Sequence, residues 1–402
     1  MRVACTALAL AGVVSTSVCA SAQTVLSFAD VLATARERAP QIVSARLALA
    51  EARGRVVGAS VRPLNPEVDV AAGDRRGGSR STDLDVGLSQ RFEPSGLRAQ
   101  RIASANARLE EATANADDIA RDVLRDAARA FYQAVFAAER IRLSATAETL
   151  AAAIVDVADR RYRAGDIAVL DVNLARAALA RARAEQRANE AEQAAALGTL
   201  KALLHLPGPV AVQGSLAPGQ PPDPAALTRA ADERPELRAL AAAVRDAEAE
   251  VGMGRSLSRP ELGLGVRYAR EEGSRIIAGG VTVTLPVFAR GQELLAVGSA
   301  RASRLRAELD ATRSRIRVEL ETALAAYEKR VAAVRILEAE ALPGLDENDA
   351  LMARSFEVGQ IGLRDLLLIR RELLDTRAQY LTTLLEAALA RVEIDAAAAV
   401  LR

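Results

Sequence analysis

The 402-residue chain has no tryptophan, only six phenylalanines and five tyrosines, and a large share of alanine. A single globular core built on large aromatic side chains is excluded, and helices packed closely on small residues are favoured. Both cysteines, Cys5 and Cys19, stand near the start. They fall in a segment with the marks of a targeting signal: Arg2, an apolar stretch through Ala7-Leu8-Ala9-Leu10-Ala11 and Val13-Val14, then Ala20-Ser21-Ala22 as a small-x-small cleavage site. Residues 1–22 are therefore expected to be removed, leaving a chain from Gln23 with no thiol, no disulfide and no cysteine-bound metal. Lipidation at Cys19 is disfavoured, because Thr16-Ser17-Val18 lacks the leucine and small-residue pattern that precedes a lipidated cysteine. The one histidine, His205, has no second histidine or cysteine to join it in a metal site and is expected to cap or pack beside a helix end. Without Arg2 the basic and acidic residues are equal at 52 each, which argues against a nucleic-acid partner. Phosphate loop, zinc helix and nucleophile elbow are all missing. Most carboxylates have an arginine at helical spacing and read as solvated ion pairs. No catalytic residue, cofactor or metal site is expected. After residue 22 no apolar run reaches about 18 residues, so a membrane could be crossed only by strands in a closed barrel.

What is present is a duplication. Residues 36–204 and 232–400 read as two copies of one unit about 195 residues apart, a period that marks repetition of a whole structural module. Each copy runs helix, β-hairpin, very long helix, helix. The boundaries are 23–204 for the first repeat with its hairpin at 66–93, an irregular Pro/Gly-rich connector at 205–224, and 225–402 for the second repeat with its hairpin at 260–288. Ser27-Phe28-Ala29-Asp30 opens the first helix, whose apolar positions run through Ile42 and Leu49 until Pro63 and Pro66 end it.

In the hairpins, Leu84, Val86 and Leu88 alternate with Asp83, Asp85 and Ser89, and Leu264 and Val266 alternate with Gly263 and Gly265. Each segment has about the ~10 residues that a tilted strand needs to cross a membrane. Alternation alone fits a two-stranded ornament on a soluble protein equally well. Duplication favours the membrane, since four strands per chain are too few for a barrel but suffice if chains share one. On that reading Leu84, Val86, Leu264 and Val266 face lipid, and Asp83, Asp85, Gly263 and Gly265 face the lumen.

The helices that follow span Leu97 to Tyr162 and Gln292 to Phe356, each roughly 95–100 Å long. In the second, Leu305, Leu309, Thr312, Ile316, Leu320, Ala323, Tyr327, Val331 and Val334 repeat every eleven residues, a period that a nearly straight helix keeps. Straight helices side by side can line a wide cylinder. Leu342-Pro343-Gly344 is expected to interrupt the second one near its far end. Both helices break at a glycine turn, Gly165-Asp166-Ile167 and Gly359-Gln360-Ile361.

The paired turns, with Tyr162 and Phe356 three residues before each glycine and Val169-Leu170-Asp171-Val172 and Leu363-Arg364-Asp365-Leu366 after them, resemble the signatures of the TolC-type outer-membrane efflux factors. The resemblance covers the whole mature chain. It implies a mainly α fold with a small β part: a homotrimer whose three chains share a 12-stranded outer-membrane β-barrel, continuous with a periplasmic α-barrel of long helices. It implies a passive exit duct fed by an inner-membrane pump through a periplasmic adaptor, with the two glycine turns at the far periplasmic end touching the adaptor. Asp365 matches a constricting aspartate of the family and Asp171 is its counterpart in the first repeat, so both are candidates for a periplasmic gate. A second family aspartate is replaced by Leu368. Gly96-Leu97-Arg98-Ala99-Gln100-Arg101 and Leu285-Pro286-Val287-Phe288-Ala289-Arg290-Gly291-Gln292 resemble the branch that serves heavy-metal cation exporters, which implies a proton-driven, cation-exporting pump as partner. The rival readings are the adaptor itself, which normally carries one helical hairpin beside β-rich domains, and a periplasmic coiled-coil scaffold with no pore.

Overall fold

The computed structural model describes residues 24–75, 81–220, 223–271 and 274–401; the targeting segment, with both cysteines, and the loop residues Gly77-Gly78 lie outside the described residues. A short strand β1 (Thr24–Leu26) leads to α1 (Phe28–Arg38). The start of α1 is fixed by a capping box in which the Ser27 hydroxyl accepts from the Asp30 amide while the Asp30 carboxylate accepts from the Ser27 amide at 3.0 Å. One uninterrupted helix was expected to Pro63. The chain instead breaks at Ala39 (φ −59°, ψ 124°), because the residue before a proline is pushed out of the α region, and Pro40 opens α2 (Pro40–Ser60) at the position where its missing amide costs nothing.

The rest follows in order: β2 (Glu67–Arg75), β3 (Ser81–Phe92), the 67-residue α3 (Leu97–Arg163), α4 (Val169–Leu204), β4 (Val210–Val212), α5 (Pro224–Asp232), α6 (Pro235–Ser256), β5 (Glu261–Glu271), β6 (Ser274–Thr284), α7 (Gln292–Ile336), α8 (Leu345–Glu357) and α9 (Leu363–Ala397). Between α7 and α8 lie a π turn, Leu337–Ala341, and a 3₁₀ turn, Leu342–Gly344. Pro343 can neither donate to nor fit against the preceding turn, and the wider π turn just upstream absorbs the misfit. The connector, expected to be irregular throughout, holds β4, which pairs in parallel with β1 from Thr24↔Val210 to Leu26↔Val212. His205 takes the left-handed C-cap of α4 and is exposed.

Two layers run in the same order. The sheet is β2-β3-β5-β6, antiparallel throughout, and the helices attached to those strands neighbour one another as α2, α3, α6, α7. Farther from the sheet, α4 takes the place of α2 beside α3, and α9 takes the place of α6 between α3 and α7. The eleven-residue stripe of α7 is used as its period suggests: Leu305, Thr312, Ile316, Leu320, Tyr327 and Val334 are all buried. On one side of this wall, α1, the β1–β4 pair and α5 are packed on apolar residues, with Phe28, Phe131 and Tyr132 in mutual ring contact at 5.4–5.5 Å. No described helix is long and apolar enough to cross a membrane.

Candidate functional site

Register assigns the two faces of the sheet. Val70, Val86, Tyr268 and Ile277 are cross-strand partners, as are Val68, Leu88, Val266 and Gly279, so apolar side chains gather on one face. Leu84, Val86, Leu264 and Val266 all belong to it, and three of them, Leu84, Leu264 and Val266, are exposed in the single chain. The other face holds Glu67, Asp69, Asp83, Asp85, Glu261 and Glu271 against Arg75, Arg91 and Arg267, with glycines at 87, 263 and 265. Its charges pair across strands: Arg91 donates to Glu67 at 2.8 Å and Arg267 Nε to Asp85 at 2.6 Å. Gly87, Gly263 and Ala269 on this face are buried although no described helix packs across the sheet, which marks it as the more closed side. The outer edges of β2 and β6 have no described strand beside them.

Below the sheet the wall is held by ions that the sequence reading passed over. Asp246 of α6 is fully buried and accepts from the Ser104 hydroxyl at 2.6 Å and from Arg108 Nε at 2.9 Å, both on α3. Arg301 of α7 lies 2.9 Å from its second oxygen and donates to Glu250 at 2.8 Å. Burial, with the Asp246 charge beside it, pushes the Glu111 carboxyl above its ordinary range. Midway down, a groove of 1040 Å³ opens between α3, α7, α9 and the start of α6. Its five arginines and five carboxylates are balanced, and the buried Arg234 is held by Glu236 at 3.2 Å and Glu319 at 3.0 Å. Such a wall is polar and neutral.

At the far end the two glycine turns lie side by side. Gly165 has φ +82° and Gly359 φ +79°, values that a residue with a Cβ reaches only with strain. Both close α-helices by the same pair of bonds: Gly165 N–H to Tyr162 O with Asp166 N–H to Arg161 O, and Gly359 N–H to Phe356 O with Gln360 N–H to Ser355 O. Arg161 ties the turns together, donating to the Phe356 carbonyl at 3.0 Å with its guanidinium 5.1 Å from the Phe356 ring centre. Beneath them Ile154, Val172, Phe356, Leu363 and Leu366 form a common apolar cluster. Ile167 and Ile361 are half-buried, both against that cluster. Asp171 and Asp365 occupy equivalent places in the first turns of α4 and α9; Asp171 is half-buried and Asp365 exposed. Leu368, one turn beyond Asp365, is exposed as well. Among the described residues no three His, Cys, Asp or Glu side chains gather as a metal site.

These features recur in known proteins. The chain is 28% identical over 347 residues to the cobalt-zinc-cadmium resistance protein CzcC of Cupriavidus metallidurans, covering 85% of this chain and 82% of that one. Its fold matches the crystal structure of CusC with a TM-score of 0.78 at 16% identity, over 92% of this chain and 91% of the other. It also matches the outer membrane protein VceC of Vibrio cholerae with a TM-score of 0.75 at 15% identity, over 92% and 95%. The family model described as outer membrane efflux protein matches residues 31–205 and again residues 226–400, once in each copy of the internal repeat. The chain, with its two matched halves, one charged and one apolar sheet face and paired helical turns, belongs to the outer membrane efflux protein family.

Proposed function

We propose that three copies of this chain form the exit duct of a tripartite efflux system, spanning the outer membrane and reaching through the periplasm toward an adaptor and an inner-membrane pump. The observation that carries this is the coincidence of free edges: α2 and β2 end the wall on one side, α7 and β6 on the other. A sheet with an apolar outer face and open edges cannot sit in lipid, where every backbone group needs a partner, unless it closes. Closure by head-to-tail contact of identical copies makes a ring. Three copies supply twelve strands of 9–12 residues, each long enough to cross. Leu84, Val86, Leu264 and Val266 then face lipid, and Asp83, Asp85, Gly263 and Gly265 face the lumen.

Heavy-metal cations are the cargo class that the site favours. The lumenal sheet face has six carboxylates against three arginines by register, an acidic excess that raises the local concentration of cations. It has neither histidine nor cysteine, so cations meet weak oxygen contacts that permit passage and not retention. The name of the Cupriavidus relative agrees with that cargo. The pump is then a proton-driven cation exporter. Asp365, with Asp171 behind it, forms the carboxylate ring of the periplasmic mouth, and the turns at Gly165, Asp166, Ile167 and Gly359, Gln360, Ile361 meet the adaptor. Fractionation tests the duct: carbonate should leave the protein in outer membranes. Release by carbonate would instead identify a periplasmic scaffold.

A further inference from the structure

We propose that the two turns are not equivalent to a partner: the first, at Gly165, is a charge-selective docking point for a helical hairpin with carboxylates at its apex, and the second makes its contact without that charge preference. This rests on the exit-duct reading above. The two turns share backbone angles and closing bonds, so their side chains can be compared position by position. Arg160, Tyr162 and Arg163 of the first correspond to Arg354, Phe356 and Glu357 of the second. Tyr162 is 47% exposed, whereas Phe356 is 2% exposed in the apolar cluster beneath Arg161. At the position two residues before the glycine, the charge is reversed.

Among the described residues neither Arg160 nor Arg163 has an ion-pair or hydrogen-bond partner, and both are exposed. Basic groups near a helix C-terminus do complement its dipole. That does not account for the pattern, because α8 closes in the same geometry with Arg354 and Glu357 in its last turn. What remains is a basic and aromatic patch, with Asp166 as the one carboxylate of the turn itself, on the free end of a 67-residue helix, about 100 Å from the sheet and thus beyond reach of outer-membrane headgroups. Carboxylates on a hairpin apex complement it in charge, and the tyrosine offers both ring and hydroxyl.

The test uses the full trimer in nanodiscs and two disulfide-stapled helical hairpin peptides, one with glutamates and one with glutamines at the apex. The glutamate hairpin should bind about tenfold more tightly, equivalent to 1.4 kcal/mol. That advantage should vanish in Arg160→Glu/Arg163→Glu and at about 0.5 M salt, where screening acts within a few Å. It should persist in Glu357→Gln. Equal binding of the two hairpins, or equal loss in Glu357→Gln, would overturn the proposal. It would also be overturned if Arg163→Glu abolished the heat-resistant trimer and Glu357→Arg in the same chain restored it, since Arg163 would then pair with a second copy. Current through the same preparation in planar bilayers reports on the duct separately: a pore without hairpin preference refutes only the docking, and no pore refutes the duct.

Discussion

Asp246 should be the most sensitive single polar residue in the wall beneath the sheet. It sits about three helical turns before the end of α6 and joins that helix to α3 through Ser104 and Arg108 and to α7 through Arg301. Removing one partner of a fully buried pair costs about 3–5 kcal/mol, and an exposed pair is worth about 0–1. This site lies between those limits, because Arg108 is 49% and Arg301 32% exposed and both keep Glu250, at 3.1 and 2.8 Å. Asp246→Ala should therefore destabilise each chain by about 2–3 kcal/mol. Asp246→Asn should cost less, since the amide oxygen can still accept from Ser104. Adding Arg301→Gln to Asp246→Asn should recover part of the loss by removing an uncompensated cation. Melting of the purified trimer at a fixed scan rate reads the order Ala, then Asn, then the double variant. A melting point for Asp246→Ala equal to that of the wild type would refute the reasoning.

If the apolar sheet face meets lipid as proposed, Leu264→Arg should cost about 2–4 kcal/mol near the midplane and deplete heat-resistant trimer in outer membranes. Thr282→Arg, on the opposite face, should not. Gly165→Ala meets no atom within 4 Å and should cost only the strain of φ +82°, about 1 kcal/mol, visible as a small drop in melting temperature. Glu111→Gln should raise stability at neutral pH. A carboxyl raised above its unfolded value of 4.5 is destabilising when ionised and stops being so as pH falls below that value, so the gain should disappear in acid melts. Asp365→Asn should lower cation preference and weaken block by trivalent cations in planar bilayers, with the trimer intact; unchanged selectivity with lower thermal stability would make Asp365 a helix stabiliser.

Long periodic elements were legible. The first long helix, expected from Leu97 to Tyr162, ends one residue later, and the interruption at Leu342-Pro343-Gly344 lies where proline chemistry demands. Short elements were not: Val210–Val212 has three residues, too few for alternation to register, and it is a strand only because β1 lies beside it. The break at Ala39-Pro40 was hidden by an apolar pattern that continues across it, although Pro40 itself was the sign. Asp246 was also visible in principle, a carboxylate set among the small residues Ala239, Ala242, Ala243, Ala247 and Ala249 of a helix buried on two sides. What no single sequence shows is that Ser104, Arg108 and Arg301, some 50 to 140 residues away, converge on it.

The most direct test of the account is single-channel current from the purified protein in a planar bilayer with a salt gradient. The account predicts stable unitary conductance from a trimer, a reversal potential of cation-selective sign, and a shift toward zero when Asp83 and Asp69 are replaced by asparagine. A bilayer that stays silent at saturating protein, or a pore that favours anions, would contradict it.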